Sequence, residues 1–177
     1  MRIITGEYKG RRLYVPKDKY IRPTTDKVKE AIFSILAHKI EDSVVLDLFA
    51  GTGNLGLEAL SRGASHCYFG DHSRTSLGLI RENIVHCGAE ARSTVIPGDY
   101  KKVINMVKQP CDLIFLDPPY QRNMLTDCFQ YLEEAGLLAD DGIIVTEHGK
   151  KEPLPETIGA YKMVKERKYG TIVISMY

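Results

Sequence analysis

The residues with the clearest chemical potential form a tetrapeptide that directly follows the apolar run Leu113–Leu116: Asp117, Pro118, Pro119 and Tyr120. A carboxylate and a backbone carbonyl can each accept one hydrogen from an exocyclic amine, and an aromatic ring can stack on a base. The two prolines fix φ and offer no N–H, so this backbone segment presents carbonyl oxygens. The tetrapeptide predicts a clamp for the amino group of a nucleobase, and its four residues are our candidate catalytic residues.

A second segment of this kind is the glycine-rich stretch Gly51–Gly56, which follows the apolar run Val44–Leu48. A loop between the end of a parallel strand and the next helix is a common ligand site, and glycines there permit positive φ and close backbone approach. An acid at the strand end can accept from a cationic amine or organise the loop, so a purely structural role stays open. The predicted cofactor residues here are Asp47, Phe49, Gly51 and Gly53.

Two further acidic residues follow later predicted strands. Asp71 comes about twenty residues after the glycine loop, where an acid can bind both hydroxyls of a ribose. Asp99 and Tyr100 follow the next strand, where a carboxylate can bond an adenine amine and a ring can cover the base. Asp99 could instead simply cap a helix. Because parallel strands end at one edge of a sheet, we expect these side chains to line one crevice. Together with the clamp they suggest methyl transfer to a nucleobase.

The glycine pattern Gly-x-Gly-x-x-Gly also occurs in nicotinamide and flavin enzymes, so a dehydrogenase is an alternative. The tetrapeptide Asp117–Tyr120 argues against it, because hydride transfer has no obvious use for a diproline clamp. A chain of 177 residues also lacks room for a separate substrate domain. We therefore favour the methyltransferase interpretation.

Charge is unevenly distributed along the chain. Residues 1–29 hold nine Lys or Arg against three acids, a charge of +6, which leaves −5 elsewhere. A basic segment on a mildly acidic body is expected for phosphate contacts, although a solvated hairpin surface is the alternative. The predicted nucleic-acid contacts are Lys9, Arg11, Arg12 and Arg22.

Composition places the chain among ordinary soluble domains, with 44% hydrophobic and 27% charged residues. No apolar stretch approaches the roughly 20 residues of a membrane span, and the start shows no signal-peptide pattern, so we expect a cytoplasmic protein. The four cysteines are far apart and no histidine pair has ligand spacing. We therefore expect reduced thiols and no bound metal.

The first residues predict a basic arm, residues 1–23, in which Arg2–Thr5 and Arg11–Val15 form a hairpin. A helix follows that Thr24 or Thr25 can cap, because its apolar residues recur at helical spacing. These apolar residues are Val28, Ala31, Ile32, Ile35 and Leu36.

From residue 44 onward, short apolar runs alternate with helical patterns, which indicates parallel βαβ units. The seven predicted strands are Val44–Leu48, His66–Gly70, Ser93–Ile96, Leu113–Leu116, Gly142–Thr146, Lys162–Arg167 and Thr171–Met176. Helices are predicted near Leu55–Ser61, Arg74–Cys87, Lys101–Lys108 and Arg122–Ala135. The last two strands are joined only by Lys168–Gly170, which suits an antiparallel hairpin. We expect one α/β domain over residues 1–177, with a mostly parallel sheet in residues 24–177.

Four stretches resemble the RsmD-type guanine-N2 methyltransferases of 16S ribosomal RNA over nearly the whole chain: Arg2–Leu13, Arg22–Glu30, Leu46–Ala64 and Phe115–Tyr120. The resemblance implies a Rossmann-like methyltransferase fold and S-adenosylmethionine as the cofactor. It implies a guanine of 16S rRNA as the acceptor. The residues leave open whether free RNA or an assembled subunit is the substrate and whether the protein is a monomer; we expect a small-subunit ribosomal particle and a monomer.

By the same analogy, Asp47 and residues 51–53 would lie near the methionine moiety, Asp71 near the ribose, Asp99 near the adenine, and residues 117–120 at the target base. At two positions the chain departs from the family pattern, which makes the ribose contact of Asp71 the least certain of these assignments. Asp71 stands where glutamate is usual, and Ser73 stands where a second acid is usual.

Two alternatives stay open. A DNA adenine-N6 methyltransferase could use the same clamp, since the clamp treats any exocyclic amine alike, but residues 121–177 offer no long target-recognition region. A non-catalytic assembly factor could bind RNA through the arm and keep a vestigial pocket. Cofactor binding and the identity of the methylated base discriminate among them.

Overall fold

The computed structural model describes residues 1–17, 25–119 and 122–177. The predicted RNA contact Arg22 and the predicted stacking residue Tyr120 lie outside these ranges, as does the alternative helix cap Thr24. The helices are α1 (Asp26–Ile35), α2 (Ala37–Ile40), α3 (Asn54–Ser61), α4 (Arg74–Cys87), α5 (Tyr100–Met106) and α6 (Arg122–Ala135). The strands are β1 (Val44–Asp47), β2 (His66–Asp71), β3 (Ser93–Pro97), β4 (Cys111–Leu116), β5 (Leu138–Gly149), β6 (Thr157–Ile158), β7 (Tyr161–Lys162), β8 (Lys165–Tyr169) and β9 (Ile172–Met176).

The main sheet has seven strands in the order β3-β2-β1-β4-β5-β9-β8. Strands β1 to β5 and β8 run in one direction, and β9 lies antiparallel between β5 and β8. The strand order reverses between β1 and β4, and in open α/β sheets the ligand crevice forms at the carboxyl ends of the strands at such a point. This topology confirms the predicted α/β fold with a mostly parallel sheet and a C-terminal antiparallel hairpin.

Helices cover both faces of the sheet, which explains why its central strands are apolar throughout. The N-terminal segment and helices α1 to α4 pack on one face, where Phe33 of α1 contacts Phe115 of β4 with ring centroids 5.7 Å apart. Helices α5 and α6 pack on the other face around Phe129 and Leu116. Side chains that alternate along a strand therefore point to one helical layer or the other.

Polar side chains cap three of the helices, and the caps at Thr25 and Asp99 were suggested by the sequence. Thr25 Oγ1 accepts from Val28 N at 3.3 Å at the start of α1, and Ser73 caps α4. Asp99 Oδ1 accepts from Lys102 N at 2.9 Å at the start of α5. Such caps satisfy amide donors that the first helical turn leaves unpaired. Helices α4 and α6 have the bounds that the sequence predicted.

The predicted hairpin of the arm is present but short. An antiparallel bridge joins Arg2 to Arg12, Ile3 N donates to the Arg11 carbonyl at 2.9 Å, and Leu13 N donates to the Met1 carbonyl at 3.1 Å. Other local details differ from the predictions. The short helix α2 and the two-residue strands of the β6–β7 hairpin were not predicted. The strand that was predicted to begin at Lys162 is β8, which begins at Lys165, because Lys162 belongs to β7. The final turn is Gly170 and Thr171, with the positive φ of 63° at Gly170.

Candidate active site

Asp47 ends β1 and is buried where α3 packs on the sheet, with 2% of its surface exposed. Its Oδ2 accepts a hydrogen bond from the Gly56 amide at 3.0 Å, so the carboxylate fixes the far end of the glycine loop. Burial raises the pKa of Asp47 to about 7; the Gly56 hydrogen bond opposes this shift and the negative charge of Asp71 adds to it. The fold thus holds a carboxylate where its negative charge is unfavourable.

Asp117 follows the last residue of β4, and Glu147 lies beside it on β5. Leu116 pairs with Thr146 in the parallel register, so the next residue on each strand is Asp117 and Glu147 respectively. Asp117 is accessible to solvent, yet protein atoms surround its carboxylate on most sides. Burial by these atoms raises the pKa of Asp117, and the negative charges of Glu147 and Asp47 raise it further.

Asp47, Asp117 and Glu147 share one face of the sheet. Val45, Phe115 and Val145 belong to the core on the side of α1 and α3, and each precedes one of these acids by two residues. Residues two apart on a strand point to the same face of the sheet. Three carboxylates at the ends of three adjacent strands produce a negative local potential, which favours a cationic ligand. Within residues 1–17, 25–119 and 122–177, no three or more His, Cys, Asp or Glu side chains form a group that could hold a metal ion.

The glycine loop between β1 and α3 has the conformation that its glycines permit. Gly51 and Gly53 have φ of 59° and 82°, in the left-handed region. Asp71 stabilises this loop, because its Oδ2 accepts from Gly51 N at 3.0 Å while its Oδ1 accepts from Ser73 N at 2.9 Å. A methyl group added to Gly51 would meet no atom within 4 Å, so a ligand could approach the loop backbone closely at this point.

Gly56 has a different role, which concerns packing. A methyl group on Gly56 would lie 2.4 Å from Cε1 of Phe69 and 2.7 Å from Sγ of Cys67. Only glycine lets α3 approach β2 this closely, as the third glycine of such a loop does in dinucleotide-binding folds.

Phe49 and Tyr100 border the other side of the crevice. Their ring centroids are 6.3 Å apart, and Tyr100 also makes an edge contact with Tyr131 at 5.9 Å. The Gly98 amide donates to the Asp71 carbonyl at 3.0 Å, which joins the ends of β2 and β3. Asp99 is exposed and caps α5, as the alternative interpretation of this residue held; its contact with an adenine stays a prediction.

Known proteins resemble this chain over its whole length. The family model described as conserved hypothetical protein 95 matches residues 1–177. The chain belongs to this family. It is 37% identical to the YlbH protein of Bacillus subtilis, covering 100% of this chain and 98% of that one. It is 34% identical to the ribosomal RNA small subunit methyltransferase D of Escherichia coli, covering 100% and 89% respectively. The resemblance drawn from the motifs is confirmed.

Solved structures of similar proteins agree with this fold. The yhhF protein of Escherichia coli superposes with a TM-score of 0.90 at 32% identity, covering 100% of this chain and 96% of that one. An RNA methyltransferase from Salinibacter ruber, solved with S-adenosyl-L-homocysteine, shares the fold at 15% identity with a TM-score of 0.69, covering 88% and 92%. The predicted fold of S-adenosylmethionine-dependent methyltransferases is confirmed.

S-adenosylmethionine is accordingly the cofactor. The crevice at the carboxyl ends of the strands fits it in three respects. The open side of Gly51 leaves room for a ligand against the loop. The carboxylates Asp47, Asp117 and Glu147 suit the positive sulfonium and ammonium groups. Asp71 and Asp99 follow β2 and β3 in turn, at the same edge of the sheet.

The family's N-terminal segment is fixed to the cofactor loop by buried polar groups. Lys29 Nζ donates to the Arg2 carbonyl and Asn54 Oδ1, at 2.5 and 2.7 Å, and pairs with Glu58 Oε2 at 3.0 Å. Glu58 also accepts from the amides of Ile4 and Thr5 at 2.9 and 3.1 Å. This network ties the arm, α1 and α3 together directly after Gly53.

A second bridge connects the arm to the loop through α4. Asn83 Oδ1 accepts from Tyr14 N at 2.7 Å, and Asn83 Nδ2 donates to the carbonyls of Tyr14 and Thr52 at 3.0 and 2.9 Å. The arm therefore buttresses the loop on two sides. Neither bridge could be predicted from local sequence patterns, since the partners are 25 to 69 residues apart.

The predicted RNA contacts lie on the side of α4. Arg11 donates from Nη1 to the His86 carbonyl at 2.8 Å and stacks over Tyr8, while Lys9 and Arg12 are exposed. Their contact with RNA stays a prediction. Glu147 is a site residue that the sequence reasoning missed. An acid at the end of the apolar run Ile143–Thr146 repeats the pattern of Asp47 and Asp71, and the same rule would have found it.

Proposed function

We propose that this protein transfers a methyl group to the exocyclic N2 amine of a guanine in 16S ribosomal RNA, within a small-subunit ribosomal particle, and acts as a monomer. The observation that carries the proposal is the position of Asp117 and Pro118 at the end of β4, on the sheet edge and face of Asp47 and next to the glycine loop. Relatives named ribosomal RNA small subunit methyltransferase D support the choice of substrate.

The cofactor, when bound, supplies an electrophilic methyl group on a sulfonium. The residues that would hold it are those of the β1 to β3 ends: Asp47, Phe49, Gly51, Gly53, Asp71, Asp99 and Tyr100. Burial raises the pKa of Asp47, and the positive charge of the cofactor would stabilise its ionised form.

The amine of guanine is a weak nucleophile, because its lone pair is delocalised into the ring. If Asp117 and the Pro118 carbonyl each accept one N–H, the nitrogen can pyramidalise and direct its lone pair towards the methyl group. The Asp117 carboxylate also stabilises positive charge that develops on the nitrogen. The raised pKa of Asp117 suits it to take up the proton that the amine releases. In this proposal Pro119 rigidifies the turn and Tyr120 stacks on the base.

A base inside a helix cannot enter this clamp, so the target must be unpaired or turned out of its helix. Extrusion costs roughly a few kcal/mol, and an already unpaired RNA nucleotide largely avoids that cost. The clamp would therefore act most readily on a loop or bulge of folded rRNA.

The experiment is methyl transfer from labelled S-adenosylmethionine to three separate acceptors: naked 16S rRNA, small subunits from a strain that lacks the enzyme, and duplex DNA. We expect label in a single guanine of the RNA, on N2, when the modified nucleoside is identified. Label only in adenine of the DNA would establish the adenine-N6 alternative. Binding of RNA with no calorimetric signal for S-adenosylmethionine would establish the non-catalytic assembly factor.

A further inference from the structure

An open cavity of about 610 Å³ lies between the start of α1 and the turn that joins β8 to β9. Lys27 and Val28 line it from α1, and Lys168, Tyr169 and Ile172 line it from the hairpin. A volume in this range is typical of small-ligand sites. None of these residues belongs to the clamp or to the cofactor loop.

The strand register places this cavity at the edge of the sheet that carries the clamp. Ile172 begins β9 and pairs with Gly149, the last residue of β5, so the hairpin turn returns to the carboxyl ends of the parallel strands. Ile174, two residues later, pairs with Glu147 beside the clamp. Two strand spacings of about 4.8 Å each separate β4 from β9, so the distance across the sheet from the clamp to β9 is roughly 10 Å.

The direction from clamp to cavity also matters. The cofactor loop lies at the ends of β1 to β3 and the clamp at the end of β4, whereas the cavity lies beyond β5. A nucleic-acid strand that leaves a base in the clamp and turns away from the cofactor therefore passes over this cavity. Helix α1 packs on the same face of the sheet as Val45 and Phe115, which precede Asp47 and Asp117 by two residues.

The lining combines positive charge with an apolar floor. Lys27 and Lys168 are exposed on opposite walls, and Val28 and Ile172 are buried at the base. Lys168 Nζ is 3.3 Å from Glu166 Oε1, but this pair is largely exposed and therefore weak, so a phosphate could replace the glutamate. Tyr169 packs partly against the core and also lines the cavity.

We propose that this cavity is a second RNA site, which holds the nucleotide next to the target guanine. Lys27 and Lys168 bind its phosphates, while Tyr169 and the apolar floor contact its base, as aromatic residues do in single-strand binding. The proposal rests on RNA being the acceptor. The sequence predicted RNA contacts through the arginines beside α4, whereas this second site lies beside the turn that joins β8 to β9.

The first test is the double variant Lys27→Ala/Lys168→Ala, compared with Lys39→Ala/Lys108→Ala. The control changes the net charge equally but lies near the starts of β1 and β4, at the opposite edge of the sheet. For the cavity variant we expect at least a tenfold rise in KM for small subunits, with kcat at saturation and the Kd for S-adenosylmethionine within about twofold of wild type. The control variant should match wild type.

A second measurement does not depend on catalysis. The slope of log affinity against log salt, measured by filter binding to naked 16S rRNA, should become shallower by about 1.4 in the cavity variant, because two phosphate contacts are lost. An unchanged slope and affinity would overturn the proposal even if wild type methylates RNA. If the wild-type protein methylates nothing but the slope still changes in the cavity variant, the proposed function is wrong and the RNA site is supported.

A third measurement tests the position of the nucleotide. The variant Tyr169→p-benzoylphenylalanine, irradiated on small subunits, should cross-link within two nucleotides of the methylated guanine. Cross-links that map only to distant parts of the RNA would show that the cavity does not hold the flanking nucleotide.

Discussion

The two halves of the sheet edge are built differently. At the ends of β1 and β2, the side chains of Asp47, Asp71 and Asn83 hydrogen-bond backbone amides and carbonyls of the glycine loop or its flanks. At the ends of β4 and β8, the ionisable side chains of Asp117 and Lys168 are exposed to solvent instead. The first half is held by internal bonds, and the second presents charge to the outside.

This difference indicates a division of labour. A cofactor of constant shape is best bound by a rigid loop, because little ordering is then needed on binding. A large RNA is better bound by exposed charges, which attract it from a distance and can exchange one partner for another. The comparison predicts that substitutions in the first half change stability and those in the second change substrate turnover and binding.

The largest effect is expected for Asp117→Ala in the second half. It removes the acceptor for the amine, so kcat should fall by roughly a thousandfold, in the range found for loss of one preorganised transition-state group. The Kd for S-adenosylmethionine should change less than about threefold by calorimetry. The control Asp140→Ala removes an exposed acid near the other end of β5 and should retain full activity. Wild-type turnover in Asp117→Ala would remove this residue from the mechanism.

The next effect concerns stability in the first half. Lys29→Met removes the cation from Glu58, which has 0% of its side chain exposed, and should cost about 3 kcal/mol in urea unfolding. Arg62 and two amides still contact Glu58, which keeps the cost at the low end of the usual range. The matched control Arg2→Met breaks an ion pair that is 62% and 46% exposed and should cost at most about 1 kcal/mol. Equal losses in both variants would contradict the buttressing role.

Two glycines of the loop separate packing from binding. Gly56→Ala should destabilise the fold by about 1–3 kcal/mol, because the new methyl group overlaps Phe69. Gly51→Ala meets open space but has φ of 59°, so it should cost about 1 kcal/mol. Calorimetry should show weaker cofactor binding for Gly51→Ala than its stability loss alone explains. A cofactor affinity equal to wild type in Gly51→Ala would place the ligand elsewhere.

The smallest effect is a shift in pH dependence. The negative charge of Glu147 contributes to the raised pKa of Asp117, so Glu147→Gln should lower that pKa. If ionised Asp117 accepts the amine hydrogens, activity is lost as pH falls through its pKa, and this acid limb of kcat/KM should move to lower pH. A pH–rate profile of both proteins measures the shift. Movement of the limb to higher pH would show that the protonated acid is the active form.

The parallel half of the fold could be predicted from the sequence because its signals are local. Strand β4 is a continuous apolar run with a charged residue at its end, and α4 has both a serine cap and a terminal glycine. Candidate site residues at strand ends follow from the same rule, since parallel strands share one edge. The acids Asp47, Asp71 and Asp117 were found in this way.

The remaining features depend on tertiary context. Strand β8 has the sequence Lys-Glu-Arg-Lys-Tyr and lies at the edge of the sheet, so no apolar alternation marks its start. Strands β6 and β7 have two residues each, too few for a periodic signal. The inward packing of Ile3 and Tyr8 also depends on distant residues, because the hairpin of the arm lies on α3, where Tyr8 N donates to Ser61 Oγ at 2.9 Å.

The position of β9 has a consequence for assembly of the sheet. This strand follows β8 in the chain, but it lies between β5 and β8. The sheet therefore cannot close before β9 has been synthesised, and a chain that stops before Ile172 would expose the backbone edges of both neighbouring strands. Such unpaired edges template aggregation. A nonsense codon at Ile172 should therefore yield insoluble protein.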